Sequence, residues 1–167
     1  MNFKRTIIIN RPIKQVWDVL GNQFGQAHAW ASSVNHAETY GAPTLEGASC
    51  SNRSCNTTAG NVKEVIRTFD PEGRVLAYEV LEGFPFFVAK GHNTWRLSAK
   101  GKNTRVDMDI EILTKGVFGA IMSPMMKLQM NKLADEAVDD LKYYVEHDGT
   151  PHPRKVKAAQ KFAKKTA

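Results

Sequence analysis

Ser123–His147, SPMMKLQMNKLADEAVDDLKYYVEH, is the stretch around which the chain is organised. Ser123 before Pro124 reads as an N-cap and a first helical residue, because proline lacks only an N–H that would be orphaned there anyway. Met126, Met130, Leu133, Ala137, Leu141 and Tyr144 recur at spacings of three or four, which makes one apolar face. Lys127, Lys132, Asp135, Asp139, Asp140 and Lys142 fall on the other faces. Gly149 and Pro151 end the pattern. A helix of about 24 residues spans roughly 36 Å, enough to cross a whole sheet in a domain of this size. The upstream sequence reads as that sheet.

Residues 3–10 (FKRTIIIN) form a β-branched strand. Pro12 opens a short helix, IKQVWDVL, with Ile13, Val16, Trp17 and Leu20 on one face, and 24–32 (FGQAHAWAS) is a second short helix or turn. Strands follow over 34–40, 48–57, 61–69, 74–82, 86–99 and 104–114. Their short, glycine-bearing links suit antiparallel hairpins. In the last strand Val106, Met108, Ile110 and Ile112 alternate with Asp107, Asp109 and Glu111, so one face is buried and the other wet. In 86–99 the inward set is Phe87, Ala89, Gly91, Asn93, Trp95 and Leu97, and the outward set is Lys90, His92, Thr94, Arg96 and Ser98. The result is an α+β domain, a curved antiparallel sheet of about six to seven strands wrapped around a long C-terminal helix, with two short helices after strand 1.

With 167 residues, 42% hydrophobic and 24% charged, the chain has globular proportions. It has no apolar run near the roughly 18 residues of a membrane span, and its start is too weakly apolar for a signal peptide. Cys50 and Cys55 sit five apart on one strand, facing opposite ways, so they do not pair within it; a reducing, cytoplasmic setting follows. The net charge of +6 is local. Residues 151–167 hold six basic residues and no acid, leaving 17 basic against 17 acidic residues elsewhere. That balance argues against a nucleic-acid face on the body, residues 1–149. The basic tail, 150–167, reads as a frayed, solvated terminus, with a short helix touching an anionic surface as the alternative.

An ordered set of residues carries a family resemblance: Ile7, Ile9, Pro12, Val16, Trp17, Leu20, Phe24 and Trp30, then Gly47, Glu64, Tyr78 and Trp95, closed by the amphipathic helix. Over residues 3–147 the chain resembles the START-like helix-grip superfamily, and within it the polyketide cyclase/dehydrase and lipid-transport group. The resemblance implies a cavity between sheet and helix filled by a hydrophobic or amphipathic small molecule; no cofactor is expected. The group holds both carriers and cyclases. The third strand departs from the usual pattern: the arginine often found three residues after the glycine is Cys50 here, and the nearest arginine is Arg53. The run SCSNRSCNTT is almost free of apolar residues, so that strand is either solvated or polar toward the cavity.

The candidate ligand-binding residues are Trp30, Arg53, Glu64, Tyr78, Phe84, Phe87, Trp95, Met108, Met122, Met126 and Met130. Methionine adapts to variable ligands, although a Met stripe at helical spacing equally fits ordinary core. Glu64 shares a face with Val62 and Ile66: inward, it would need a partner for its charge; outward, it is a surface carboxylate. Tyr78 alternates with Leu76 and Val80 and faces inward, as a structural tyrosine or as a partner of ligand or Glu64. Phe84, Phe86 and Phe87 flank Pro85 at a cavity mouth. His92 is a surface histidine, and the histidines show no metal-ligand spacing. In an enzyme, Glu64 or Tyr78 would transfer protons and Arg53 would hold an enolate oxygen. With at most one inward carboxylate and no inward histidine, the sequence favours a binding protein over a cyclase or dehydratase.

Overall fold

The computed structural model describes residues 1–166. Seven strands form one antiparallel sheet: β1 (Asn2–Ile9), β2 (Val34–Tyr40), β3 (Asn52–Thr57), β4 (Gly60–Asp70), β5 (Val75–Glu82), β6 (Val88–Lys100) and β7 (Asn103–Thr114). Their spatial order is β1-β7-β6-β5-β4-β3-β2. From β2 to β7 each strand pairs with its sequence neighbour, as short links require, and β1 closes against β7. Between β1 and β2 the chain makes α1 (Ile13–Trp17), a π turn (Asp18–Asn22), a 3₁₀ turn (Phe24–Gln26) and α2 (Ala27–Trp30). The long helix α3 (Gly116–Glu146) packs on β1 and reaches β7 and α2. The expected α+β helix-grip architecture is therefore present.

The core lies between the sheet and these helices. Trp17, Ile9, Val106 and Leu141 are almost wholly buried. The Trp17 ring meets Phe69 at 5.4 Å. Met108 is core as well, at 1% exposure.

Several boundaries differ from the sequence reading, each for a physical reason. The long helix starts at Gly116, not Ser123, and its 31 residues extend it to roughly 46 Å. Gly116, at φ +69°, turns the chain out of β7. Pro124 is therefore inside the helix, where it removes one backbone donor. Ser123 does not cap; its hydroxyl donates back to the Gly119 carbonyl at 2.7 Å. The third strand begins at Asn52, so Cys50 precedes it, and both cysteines are buried and unpaired. At the start of β6 the register shifts between Val88 and Lys90, which buries Val88 and exposes Ala89. From Gly91 to Leu97 the inward set is as expected, but His92 is half-buried rather than at the surface.

The basic tail is not frayed. It forms α4 (Pro153–Thr166), anchored by two side chains. Arg154 donates to Asp140 Oδ1 from Nε at 3.2 Å and from Nη2 at 2.8 Å, and Nη2 also reaches Asp139. Lys155, buried, donates to the Val34 carbonyl at 2.6 Å. Asp140, placed above off the apolar face, is 1% exposed. Its second oxygen accepts the Ser32 backbone N–H at 2.8 Å. One carboxylate thus joins α3, α4 and the end of α2.

Candidate functional site

A cavity of about 250 Å³ lies between the sheet, α2 and α3. Its apolar wall includes Leu20, Phe24, Trp30, Trp95, Ile112 and Leu133. The cavity exists because the sheet curves away from the helix while small residues, Ala27, Ala31 and Ala137, line the helical side. At Gly91 a Cβ would sit 2.3 Å from the Phe84 ring, so glycine lets Phe84 fold over the sheet to line the cavity.

Two polar pairs cross this wall, and strand register creates both. Arg53 and Glu64 are direct partners between β3 and β4, so their side chains leave the same face side by side. Arg53 Nε donates to Glu64 Oε2 at 2.7 Å, and Nη2 lies 2.6 Å from the same oxygen. Arg53 Nη1 donates to the Phe24 carbonyl at 2.7 Å, and the guanidinium stacks 3.9 Å from the Phe24 ring centroid. Both side chains are at least nine-tenths buried. Glu64 therefore faces inward with Arg53 as its partner, and the polar third strand is polar toward the cavity. Burial works against the Arg53 charge, but the Glu64 carboxylate prevails and raises its pKa. Cys55 lies 3.5 Å from Glu64 Oε2; burial, opposed by Arg53 and reinforced by Glu64, pushes its thiol up to about 12.

Tyr78 and Asn93 are partners in the same sense between β5 and β6. Asn93 Nδ2 donates to the Tyr78 hydroxyl oxygen at 2.8 Å, which leaves the phenol's own proton available to a further acceptor. Asn93 Oδ1 is buried with no hydrogen-bond partner among the described residues. Burial, then the Glu64 charge, raises the Tyr78 pKa against Arg53, Trp95 and Asn93, so the phenol stays protonated. The wall thus offers one neutral donor and one unmatched acceptor side by side.

Of the residues singled out in the sequence, Trp30, Arg53, Glu64, Tyr78, Phe84, Trp95 and Met130 line the cavity. Met108 lies behind the wall in the core. Met122 and Met126 are half-buried on α3 and Phe87 is half-buried in the β5–β6 connection; none of the three borders the cavity. His92 borders it, with Nδ1 buried and unpartnered among the described residues. Sequence reasoning missed Asn93 as a polar group and Phe24 as both a ring and a carbonyl for Arg53. The inward parity of Asn93 was the signal available for the first. Among the described residues no group of three or more His, Cys, Asp or Glu is placed to hold a metal ion.

The fold recurs in solved structures of low sequence identity. The Zhui aromatase/cyclase from a Streptomyces species is 16% identical, with a TM-score of 0.71 over 87% of this chain and 93% of that one. A protein of Thermus thermophilus is 19% identical, with a TM-score of 0.69 over 87% and 97%. A START superfamily protein from Mycobacterium smegmatis is 13% identical, with a TM-score of 0.65 over 88% and 95%. Comparison with curated proteins gives no significant match. The family described as polyketide cyclase / dehydrase and lipid transport matches residues 1–146, which span the sheet, the cavity and α3, and the chain belongs to that family.

Proposed function

We propose that the protein binds a compact amphipathic molecule, apolar over most of its surface and carrying a hydroxyl or carbonyl at one end, in the cavity between sheet and α3. The observation that carries this reading is the Tyr78–Asn93 pair in an otherwise apolar wall. A ligand hydroxyl would accept the Tyr78 proton and donate to Asn93 Oδ1; a carbonyl would use the first contact alone. Apolar burial, about 25 cal/mol per Å² removed from water, would supply most of the affinity. The volume of about 250 Å³ falls just below the roughly 300–1,000 Å³ usual for ligand sites, which favours a small ring system or short chain over a long one. Free, buried Cys50 and Cys55 fit a cytoplasmic carrier or sensor. Arg53 and Glu64, bound to each other, serve as wall and scaffold in this reading.

The similarity to an aromatase/cyclase favours a second reading, ring closure in the same cavity. Enclosure would then position the reacting carbons, and Tyr78, held protonated, would donate to the carbonyl oxygen that gains charge.

Native mass spectrometry of protein purified from its own host, followed by organic extraction, tests the first reading. A stoichiometric ligand bearing a hydroxyl or carbonyl is expected. Tyr78→Phe should weaken its binding about tenfold, the equivalent of one hydrogen bond, while Lys90→Ala leaves it unchanged. An empty protein that turns over a poly-β-ketone, with turnover lost in Tyr78→Phe, would favour the cyclase. A ligand whose binding ignores Tyr78→Phe and Asn93→Ala would overturn the polar-end assignment.

A further inference from the structure

The first half of α3 exposes an apolar stripe. Val117, Ile121, Met125 and Leu128 recur at intervals of four, four and three, and their exposures are 77%, 66%, 48% and 74%. Phe118 adds 58%, and its ring lies 5.6 Å from that of Phe86, itself 72% exposed in the β5–β6 connection. An apolar patch built from one helix face and an aromatic loop is unusual on a surface that meets only water.

The two segments that build it carry charge of one sign. Neither segment that builds the patch contains an Asp or Glu: none occurs from Gly83 to Val106, and none from Ile112 to Ala134. Lys90, Lys115 and Lys127 lie within those same segments, as does Lys132, which reaches Glu136 just beyond them at 3.9 Å. A second copy docked by a twofold axis would bring this lysine-bearing surface against itself, an arrangement that like charges oppose. A bilayer with anionic headgroups complements both features, since exposed aromatic and aliphatic side chains enter the acyl boundary while lysines meet phosphate.

We propose that this face, α3 from Val117 to Leu128 together with Phe86, docks the protein on anionic membrane surfaces. The inference does not depend on which ligand the cavity holds, but it gives that cavity a setting. Phe84, two residues before Phe86, lines the cavity, and so does Met130, two residues after Leu128. A docked protein therefore has elements of the cavity wall next to the lipid boundary. The surface is distinct from α4, whose Lys161, Lys164 and Lys165 are also exposed.

The test is co-sedimentation of the full chain with vesicles of phosphatidylcholine alone or mixed with phosphatidylglycerol. Binding is expected to the mixed vesicles only and to weaken with added salt. Phe118→Ser with Ile121→Ser should reduce it at least about tenfold, with the urea midpoint unchanged because both side chains are exposed. Lys115→Glu with Lys127→Glu should reduce it too, whereas Lys161→Ala, Lys164→Ala and Lys165→Ala together should leave most of it. Failure to bind the mixed vesicles at low salt would overturn the proposal, as would binding lost in the α4 variant but kept in the Phe118/Ile121 variant. A concentration-dependent dimer, abolished by Phe118→Ser with Ile121→Ser in a protein that ignores vesicles, would assign the face to a second copy instead.

Discussion

The two halves of α3 share one backbone helix and almost nothing else. From Ala134 onward it is an ordinary amphipathic helix: Ala134, Val138, Leu141 and Val145 are buried at spacings of four, three and four. Asp135, Asp139, Lys142 and Glu146 stand off that stripe. Before Ala134 the described residues of the helix bury Gly119 alone. Met122, Met126 and Met130 are half-buried, and the opposite face is also apolar but exposed. A helix apolar on both sides belongs against something on both sides. The C-terminal half has its partners within the fold, whereas the N-terminal half has one within the fold and a free face. Stability is therefore concentrated in the second half, and the docking proposed above would use the first.

Paired truncations give the largest test of that division. Leu141→Ala removes a side chain with 0% exposure and should cost about 2–5 kcal/mol in urea unfolding. Leu128→Ala removes one that is 74% exposed and should stay within about 0.5 kcal/mol. Comparable losses would mean that the first half is as integral to the core as the second. Next in size is Asp140→Ala. It leaves the buried Ser32 N–H unsatisfied and releases Arg154, at a cost of about 1–3 kcal/mol. Limited proteolysis should then cut near residue 152 before the body unfolds. If α4 stays protected, Lys155 on Val34 suffices as its anchor.

Pro124→Ala probes the other half. Restoring a backbone N–H inside the helix, and replacing the residue least suited to a helix interior, should strengthen α3 locally. Slower amide exchange over 117–123 is expected, with a global midpoint shift below about 1 kcal/mol, because that segment carries little of the core. A global gain equal to the local one would join the two halves into a single cooperative unit.

What the sequence conveyed of this divided helix follows from range. The stripe through Ala137, Leu141 and Tyr144 and the alternation of 104–114 are local patterns. The alternation appears as read, whereas the stripe is centred about one residue further on, with Ala134, Val138 and Val145 buried around Leu141 and with Ala137 and Tyr144 half-buried at its edge. Ser123-Pro124 is local as well, yet it misled, because a serine and a proline at a helix start look the same as a serine and a proline seven residues inside one. Asp140 fell off the apolar face, and its burial was not legible because its partners, Ser32 and Arg154, lie far off in sequence and only packing brings them together. Arg53 and Glu64 were each visible as candidates; their union depends on the β3–β4 register, which no local pattern states. The inward parity of Asn93 was legible, but its unmatched carbonyl oxygen depends on where the Tyr78 hydroxyl sits. The fold was thus largely legible and the site only in part, since a site is made of contacts between strands.

The smallest effect concerns acid, and it acts on the seam that holds the second half. His28, on α2, sits with its ring 5.8 Å from that of His36. Burial first, then the charges of His36 and Lys155, hold its pKa below the ordinary histidine value, with the Gly25 backbone opposing them. The unfolded chain therefore takes up this proton before the folded one does. The stability His28 contributes is complete above about pH 6.5 and is lost as the pH falls through the lower folded value. Asp107 and Asp135, whose pKa values are also lowered, respond only below the ordinary carboxylate range and leave this window clear. Urea midpoints measured near pH 7.5 and near pH 5 should fall less in His28→Gln than in the wild type. The Leu128→Ala variant should keep the full wild-type acid loss, because its site lies in the half that the α2 seam does not hold. Equal acid loss in all three proteins would remove His28 from the seam and place the acid sensitivity elsewhere in the sheet.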